Sequence, residues 1–371
     1  MPAAQPPAAQ PLTGIRVIDL TSNVAGPFAG AVLADLGAEV IHVEVPSGDD
    51  ARRMSPVAGD GSAYFHVANR NKDGLRLDIR DADDRARLGA LLDEADVFVT
   101  NLRPAKLRAY SLDAPSLRAR HPRLIHASLT AYGDRGPEAD RVGYDGVLQA
   151  RVGIASVTGE PDRPPVRAGV SILDVGGGTW LALGVIAALY RREVTGEGGE
   201  VSTSLLETGV NWVGYHVVAE QLTGTPSRRS GSGHPAFAPY GIYSARGGQV
   251  CLGIGGDGLY ARLCEALGAP HLATDPRYRV NADRVAHSDE LRADLEAVLA
   301  QMTPAEAIER LAQYDVPADV VALPEDLLAD EQVAALGLMA EVEIDGHRLR
   351  MPRLPLSFDG ERPPIDRGGP P

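Results

Sequence analysis

Residues 14–46 set the first limit on what this chain can become. "GIRVIDLT", 14–21, is a short apolar run ending in Asp19 and Thr21, and it reads as a buried strand. "AGPFAGAVLADLGAEV", 25–40, reads as a helix that starts near Pro27 and stops near Gly37. "EVIHVEVP", 39–46, reads as the next strand. Strand, helix and strand in so short a span make a βαβ unit, which implies a parallel sheet.

The pattern recurs. "LRLDIR" reads as a strand, "DADDRARLGALLDEA" as an amphipathic helix and "DVFVTNL" as a strand. A helical "APSLRARHP" region and the strand "LIHASLTAYG" follow, and helix is expected over 178–192. After "GGEVSTSLLET", 198–208, a further helical stretch runs to about Leu222. The segment 223–239, rich in Gly, Pro and Ser, marks a domain crossing. Beyond it "GQVCLGIG" reads as a strand and "DGLYARLCEALG" as a helix. Residues 285–314 read as mainly helical, with Thr303 as an N-cap, while "VPADVVALP" and "HRLRMPRLPLSF" look extended.

Composition narrows the function classes. The 371 residues are 44% hydrophobic and 23% charged, ordinary for a globular chain with room for two domains. A net charge of −14 argues against nucleic acid or an anionic membrane as partner. No window is expected to approach a membrane span. The opening "MPAAQPPAAQP" reads as a disordered arm and not as a secretory signal. Cys251 and Cys264 form no CxxC pair, so neither a disulfide framework nor a zinc site is indicated and a cytoplasmic location is expected. The nine histidines show no metal-binding spacing, so no metal is expected.

Several stretches carry chemistry. "SNVAGPFAG" at the first strand–helix turn offers glycines and a helix N-terminus, which alone read first as a plain tight turn and also suit an anion. Arg70 and Lys72 precede a strand, and Arg103 directly follows one. Basic residues at the carboxyl edge of a parallel sheet sit where such sheets bind ligands, although each alone also suits solvated surface charge. "YGDRGPEADRVGYDGVLQA", 132–150, reads as a long loop entering a helix near Tyr144 and Asp145.

"SILDVGGGTW", 171–180, puts Asp174 before three glycines and an apolar run. Asp174 suits a helix N-cap, and it also suits a reactive carboxylate. Amides near Gly176 and Gly177 are oxyanion candidates, and the glycines would leave a thioester room to approach. No GxSxG elbow is present, so a serine triad has no support.

These segments in this order resemble the family III CoA-transferases, the group with formyl-CoA transferase and carnitine CoA-transferase. The markers are "GPFAGAVLADLGAEVIHVE", "NRNKDGLRLD", "ADVFVTNLRP", "GYDGVLQARVGI", "ALYRREVTGEGGEV" and "VPADVVAL", and the likeness spans nearly the whole chain. The resemblance implies an α/β fold: a Rossmann-like large domain with a parallel sheet, a smaller α+β domain, and an interlocked homodimer. The expected division is a disordered arm over 1–11, a large CoA-binding domain over 12–222, a small domain over 223–328 and a C-terminal segment, 329–371, returning to the large domain.

The resemblance also implies acyl-CoA and carboxylic acid substrates, with coenzyme A carried as the acyl-CoA. The family nucleophile falls on Asp174, which would pass through an aspartyl-CoA thioester. CoA contacts fall on Lys72 and Arg103, with Ala25, Arg70, Tyr144 and Asp145 beside them. Gly231 and Gly233 fall in the region of the family's glycine-rich lid. Val24 stands where formyl-CoA transferase has a catalytic Gln, and Ala105 where a Gly is usual, which argues against a formyl-CoA and oxalate pairing. Two alternatives stay open: an α-methylacyl-CoA racemase-like epimerase and a non-catalytic CoA-binding protein. Racemases carry GHD where this chain has Tyr144 in "GYD", and a phenol that titrates near pH 10 is a poor base at neutrality.

Overall fold

The computed structural model describes residues 10–59 and 61–371. The arm expected over 1–11 lies outside the described residues except for Gln10 and Pro11. Two compact units emerge. The first takes in the chain up to Ile154, with Ala168–Val218 and Leu328–Pro371; the second is Ala155–Arg167 with Ala219–Leu327. Residues 155–167, read from sequence as part of the large domain, thus belong to the second unit.

The first unit is built on six parallel strands: β1 (Arg16–Leu20), β2 (Glu39–Glu44), β3 (Asp73–Arg76), β4 (Val97–Thr100), β5 (Ile125–Thr130) and β6 (Gly199–Ser204). Their order is β3-β2-β1-β4-β5-β6. Its helices include α1 (Ala25–Asp35), α2 (Ala63–Asn69), α3 (Ala82–Asp93), α4 (Pro104–Ala109), α5 (Ala114–Arg120), α6 (Asp145–Arg151), α7 (Ile172–Thr195) and α8 (Leu205–Trp212).

Successive side chains of a strand point to opposite faces, and the two cores divide accordingly. Val17, Val97 and Val99 pack with α1 and α7, whereas Ile18 and Phe98 pack with Leu88 and Leu92 of α3, Leu107 of α4 and Leu117 of α5. Burial on both faces explains why these strands read as continuous apolar runs. The strand order reverses between β1 and β4, and ligands of such sheets bind outside the carboxyl ends at that point.

Three expectations need correction here. β6 was read only as the lead-in to a helix, because "EVSTS" is small and polar; it is the edge strand paired with β5. α7 begins six residues earlier than expected and runs 24 residues. It is also long and apolar enough, by length and composition, to cross a membrane, contrary to the expectation that no window comes near. Part of its apolarity is spent in the core: Leu173, Leu181, Val185 and Leu189 are buried against α1 and the sheet.

The second unit is α+β. Strands β7 (Tyr240–Ala245), β8 (Gly248–Gly253) and β9 (Ala318–Val320) form an antiparallel sheet in the order β9-β8-β7. Val250, Leu252, Leu263, Leu295 and Leu311 centre its own core. Thr303 caps the helix Pro304–Ala312 in a reciprocal capping box with Glu306, as its sequence predicts.

Candidate active site

The loops after β1 and β4 meet at the reversal point. Asn101 Nδ2 donates to the Ser22 carbonyl at 2.7 Å, and the Ser22 amide donates to Asn101 Oδ1 at 3.1 Å. Arg103 follows on the same loop as the N-cap residue of α4. It is exposed, and its guanidinium donates to the Asp140 carbonyl at 3.4 Å. A cavity of about 560 Å³ flanks it, lined by Leu102, Pro104, Leu107, Arg108, Asp134 and Arg135 among others. On the β1 side, α1 starts with no side-chain cap at Val24. Pro27 lacks an N–H and Phe28 donates to the Val24 carbonyl. Among the described residues no acceptor reaches the amides of Ala25 and Gly26, which leaves two donors at a helix N-terminus.

Lys72 and Arg70 do not reach this edge as free cations, which corrects both expectations. Lys72 is wholly buried, and its ammonium donates to Asp19 Oδ2 at 2.7 Å, the Pro27 carbonyl at 2.7 Å and Asn69 Oδ1 at 2.8 Å. An ammonium has three hydrogens, so none is left for a phosphate. Arg70 is also buried and pairs with Asp35. The physical reason is the tight packing of α1, where a Cβ on Gly30 would lie 2.6 Å from Asp19 Oδ2. The network continues from Asp19 to His42, 3.3 Å away, and from His42 to Asp49 at 3.8 Å. Asp49 in turn accepts the amide of Asn23, held in the left-handed region at φ 68°, and so shapes the loop that starts α1.

Asp174 sits in the first turn of α7. It is not the N-cap: that position is Ser171, whose side chain makes no capping bond. The cap comes from another helix. Asp145, at the start of α6, accepts the Leu173 amide at 2.7 Å and the Asp174 amide at 3.2 Å through Oδ2. The amides that a capping Asp174 would take therefore serve Asp145 instead. Among the described residues no hydrogen bond or ion pair reaches the half-buried Asp174 carboxylate. Burial first, and then the charge of Asp145, push its carboxyl up to about 7.

The three glycines also have a different use from the one expected. Gly176 and Gly177 lie inside α7, where their amides belong to the helix ladder, so neither is an oxyanion donor. All three are buried. A Cβ on Gly178 would lie 2.6 Å from the Ala25 carbonyl, and one on Gly176 would lie 2.2 Å from the Trp212 ring. Gly178 lets α7 cross the N-terminus of α1, and Gly176 makes room for α8. Asp174 stands one turn before Gly178 and so projects from the same helix face, the one turned toward α1. This puts the reactive candidate on the side of the free Ala25 and Gly26 amides.

Tyr144 precedes Asp145 and is exposed, beside the buried cap. Gly231 and Gly233 lie in the second unit, where their amides go to the Gly159 and Ser230 carbonyls. Among the described residues no group of three His, Cys, Asp or Glu side chains is placed to hold a metal. Sequence reasoning missed the capping role of Asp145 and its support by Gln149. The "D" of "GYD" and the "Q" four residues on were legible as a helix start, but the partner amides lie 28 and 29 residues downstream.

A family model described as "CoA-transferase family III" matches residues 12–371. The acetyl-CoA:oxalate CoA-transferase of Acetobacter aceti is 36% identical over 363 residues, covering 97% of this chain and 92% of that protein. The succinate–glutarate CoA-transferase of Agrobacterium fabrum is 36% identical over 353 residues, covering 93% of this chain and 87% of its own. Among solved structures, a CAIB/BAIF family protein from Brucella suis superposes with a TM-score of 0.88 at 35% identity, covering 97% of this chain and 96% of its own.

Proposed function

The chain belongs to CoA-transferase family III, and on that premise we propose that it moves CoA from an acyl-CoA donor to a carboxylic acid through a covalent adduct on Asp174. The observation that carries this reading is the Asp174 carboxylate itself: half-buried, without a partner, and raised to about 7 by burial and by Asp145. A free carboxylate of raised proton affinity is a better nucleophile than one held by amides.

In this reading one Asp174 oxygen attacks the thioester carbon. The C–O bond forms, the C–S bond breaks, and the electron pair leaves on the CoA sulfur. That thiolate then attacks the Asp174 acyl carbon and expels the donor acid as a carboxylate, leaving an aspartyl-CoA thioester. The acceptor carboxylate repeats the sequence in reverse. Each tetrahedral centre carries an oxyanion, and the free Ala25 and Gly26 amides at the start of α1 are the donors suited to it, replacing those of Gly176 and Gly177.

Arg103 suits a CoA phosphate, with the adjoining cavity taking part of the nucleotide. Tyr144, exposed beside Asp145, suits a substrate contact. A short dicarboxylic acid is the acceptor class that the named relatives support.

The working state in this reading is a homodimer, interlocked as in the family. Trp180, Leu183, Tyr190 and Val194 of α7 are 43%, 53%, 75% and 73% exposed, an apolar stripe on a helix whose other side is core. α7 then serves the core and the dimer, with no membrane or nucleic acid involved. Cys251 and Cys264 are unpaired, which supports a cytoplasmic location.

The test is direct. Wild-type protein is incubated with a panel of acyl-CoAs, quenched with hydroxylamine and mapped by mass. A hydroxamate at Asp174 is expected, and Asp174→Ala is expected to lose exchange by more than about 10³-fold while keeping its fold. Full exchange in that variant sinks the mechanism.

A further inference from the structure

We propose that Asp145 is the positioning residue of the transfer: it takes the amides that would otherwise settle on Asp174, and its like charge favours the states in which Asp174 is neutral, above all the acylated one. This rests on the reading of Asp174 as nucleophile.

The first turn of α7 shows the arrangement. A helix start leaves four amides without helical partners. Here Ile172 donates to the Val170 carbonyl, Val175 to the Ser171 carbonyl, and Leu173 and Asp174 both to Asp145 Oδ2. The amides of Ile172, Leu173 and Asp174 are thus occupied, none by the side chain of Asp174, and the Val175 bond is the first of the helical ladder. Asp145 is 5% exposed, so this cap is buried.

The other oxygen of Asp145 is held by Gln149, whose Nε2 donates to Oδ1. Gln149 is fully buried and cannot present its other face, because its Oε1 accepts the Ala168 amide at 2.8 Å. Three donors thus converge on Asp145, whereas among the described residues none serves the Asp174 carboxylate.

Among the described residues no ion pair reaches either aspartate. On α6 the next charge is Arg151, exposed and paired with Glu138. On α8 the acid is Glu207, bonded to Ser204 at its own helix start. On α1 the single titratable group is Asp35 at the far end, tied to Arg70. Asp145 is the charge that Asp174 faces.

The consequence is chemical. When Asp174 attacks a thioester, the negative charge leaves its carboxylate and departs on sulfur. The repulsion between the two aspartates disappears in that step. Asp145 therefore shifts the balance toward the covalent adduct, at the cost of a higher pH for the free enzyme to be ionised.

Asp145→Asn separates this from a plain capping role. Its Oδ1 still accepts from the amides of Leu173 and Asp174, but the charge is gone. The expected result is that the ascending limb of kcat/KM against pH moves down by at least about one unit, with the trapped Asp174 adduct falling about tenfold at a fixed pH. A residue that only caps the helix would lower the rate at every pH and leave the limb in place, and that result overturns the inference.

A wild-type readout keeps the test independent of how the variant folds. With aspartate 13C-labelled at the carboxyl, one resonance is expected to titrate near pH 7 and to be missing from Asp174→Asn. If no aspartate titrates above about pH 5.5, the inference fails. Absence of any wild-type adduct on Asp174 instead overturns the nucleophile reading, and the inference with it.

Discussion

Two clusters of buried charge lie in the first unit, and they are built on opposite principles. Around Lys72, opposite charges meet: the ammonium touches Asp19, which stands next to His42, which faces Asp49. Burial alone would raise Asp19, but Lys72 and His42 outweigh it and hold the carboxyl well below its usual range. Around Asp174, like charges meet. Asp145 receives every available donor and Asp174 receives none, so its carboxyl goes up to about 7. The first cluster holds the loop that begins α1; the second stores unfavourable energy on one side chain. Buried charge is therefore not one signal. Whether a group is satisfied decides whether it supports the site or reacts in it.

The contrast breaks most visibly at Lys72. Lys72→Met leaves Asp19 buried with its cation gone, and a loss of about 3–5 kcal/mol of stability is expected in chemical denaturation. Under conditions where the variant is folded, its KM for acyl-CoA should stay within about twofold, since no hydrogen of the ammonium is available to a ligand. A folded Lys72→Met of normal stability with CoA binding lost would reverse the assignment.

The second cluster predicts the opposite sign. A carboxyl whose folded value lies above its unfolded value destabilises the native state once pH exceeds the unfolded value, and fully so above the folded one. Asp174→Asn should therefore be more stable than wild type by about 1–3 kcal/mol at pH 8, allowing for partial exposure. The gain should shrink as pH falls from about 7 toward 4, where the wild-type group is protonated as well. Equal melting temperatures at pH 8 would show that Asp174 is not strained.

The smallest effect is at the rim. Arg103 is exposed, so Arg103→Ala should raise KM for acyl-CoA about tenfold, leave kcat and stability near wild type, and weaken the salt dependence of KM. No change in KM would move the phosphate contact elsewhere.

Much of the frame was legible because strands buried on both faces read as apolar runs, and because helix starts such as Thr303 carry their own punctuation. β6 escaped because an edge strand tolerates Ser, Thr and Glu on a solvated face. The start of α7 escaped because three glycines look like a loop until their packing partners are known. Lys72 and Arg70 were found as the right kind of residue, but they precede β3 and so stand at its amino end, and burial is a property of the neighbours, here Asp19 and Asp35, supplied by β1 and α1. Asp174 itself was visible; its lack of partners was not, because the competitor for its amides is 29 positions away.

The crossing at Gly178 bears on attempts to breed new acyl specificity. A library over "GGG" would not be three equal choices. At 178 any side chain would meet the Ala25 carbonyl, so randomisation there should return glycine. At 176 the cost is displacement of Trp212, whereas at 177 an alanine would meet its neighbours no closer than 3.3 Å. Val175 and Thr179, exposed on either side, are the positions of this helix turn where variation is affordable, and they flank the nucleophile's own face.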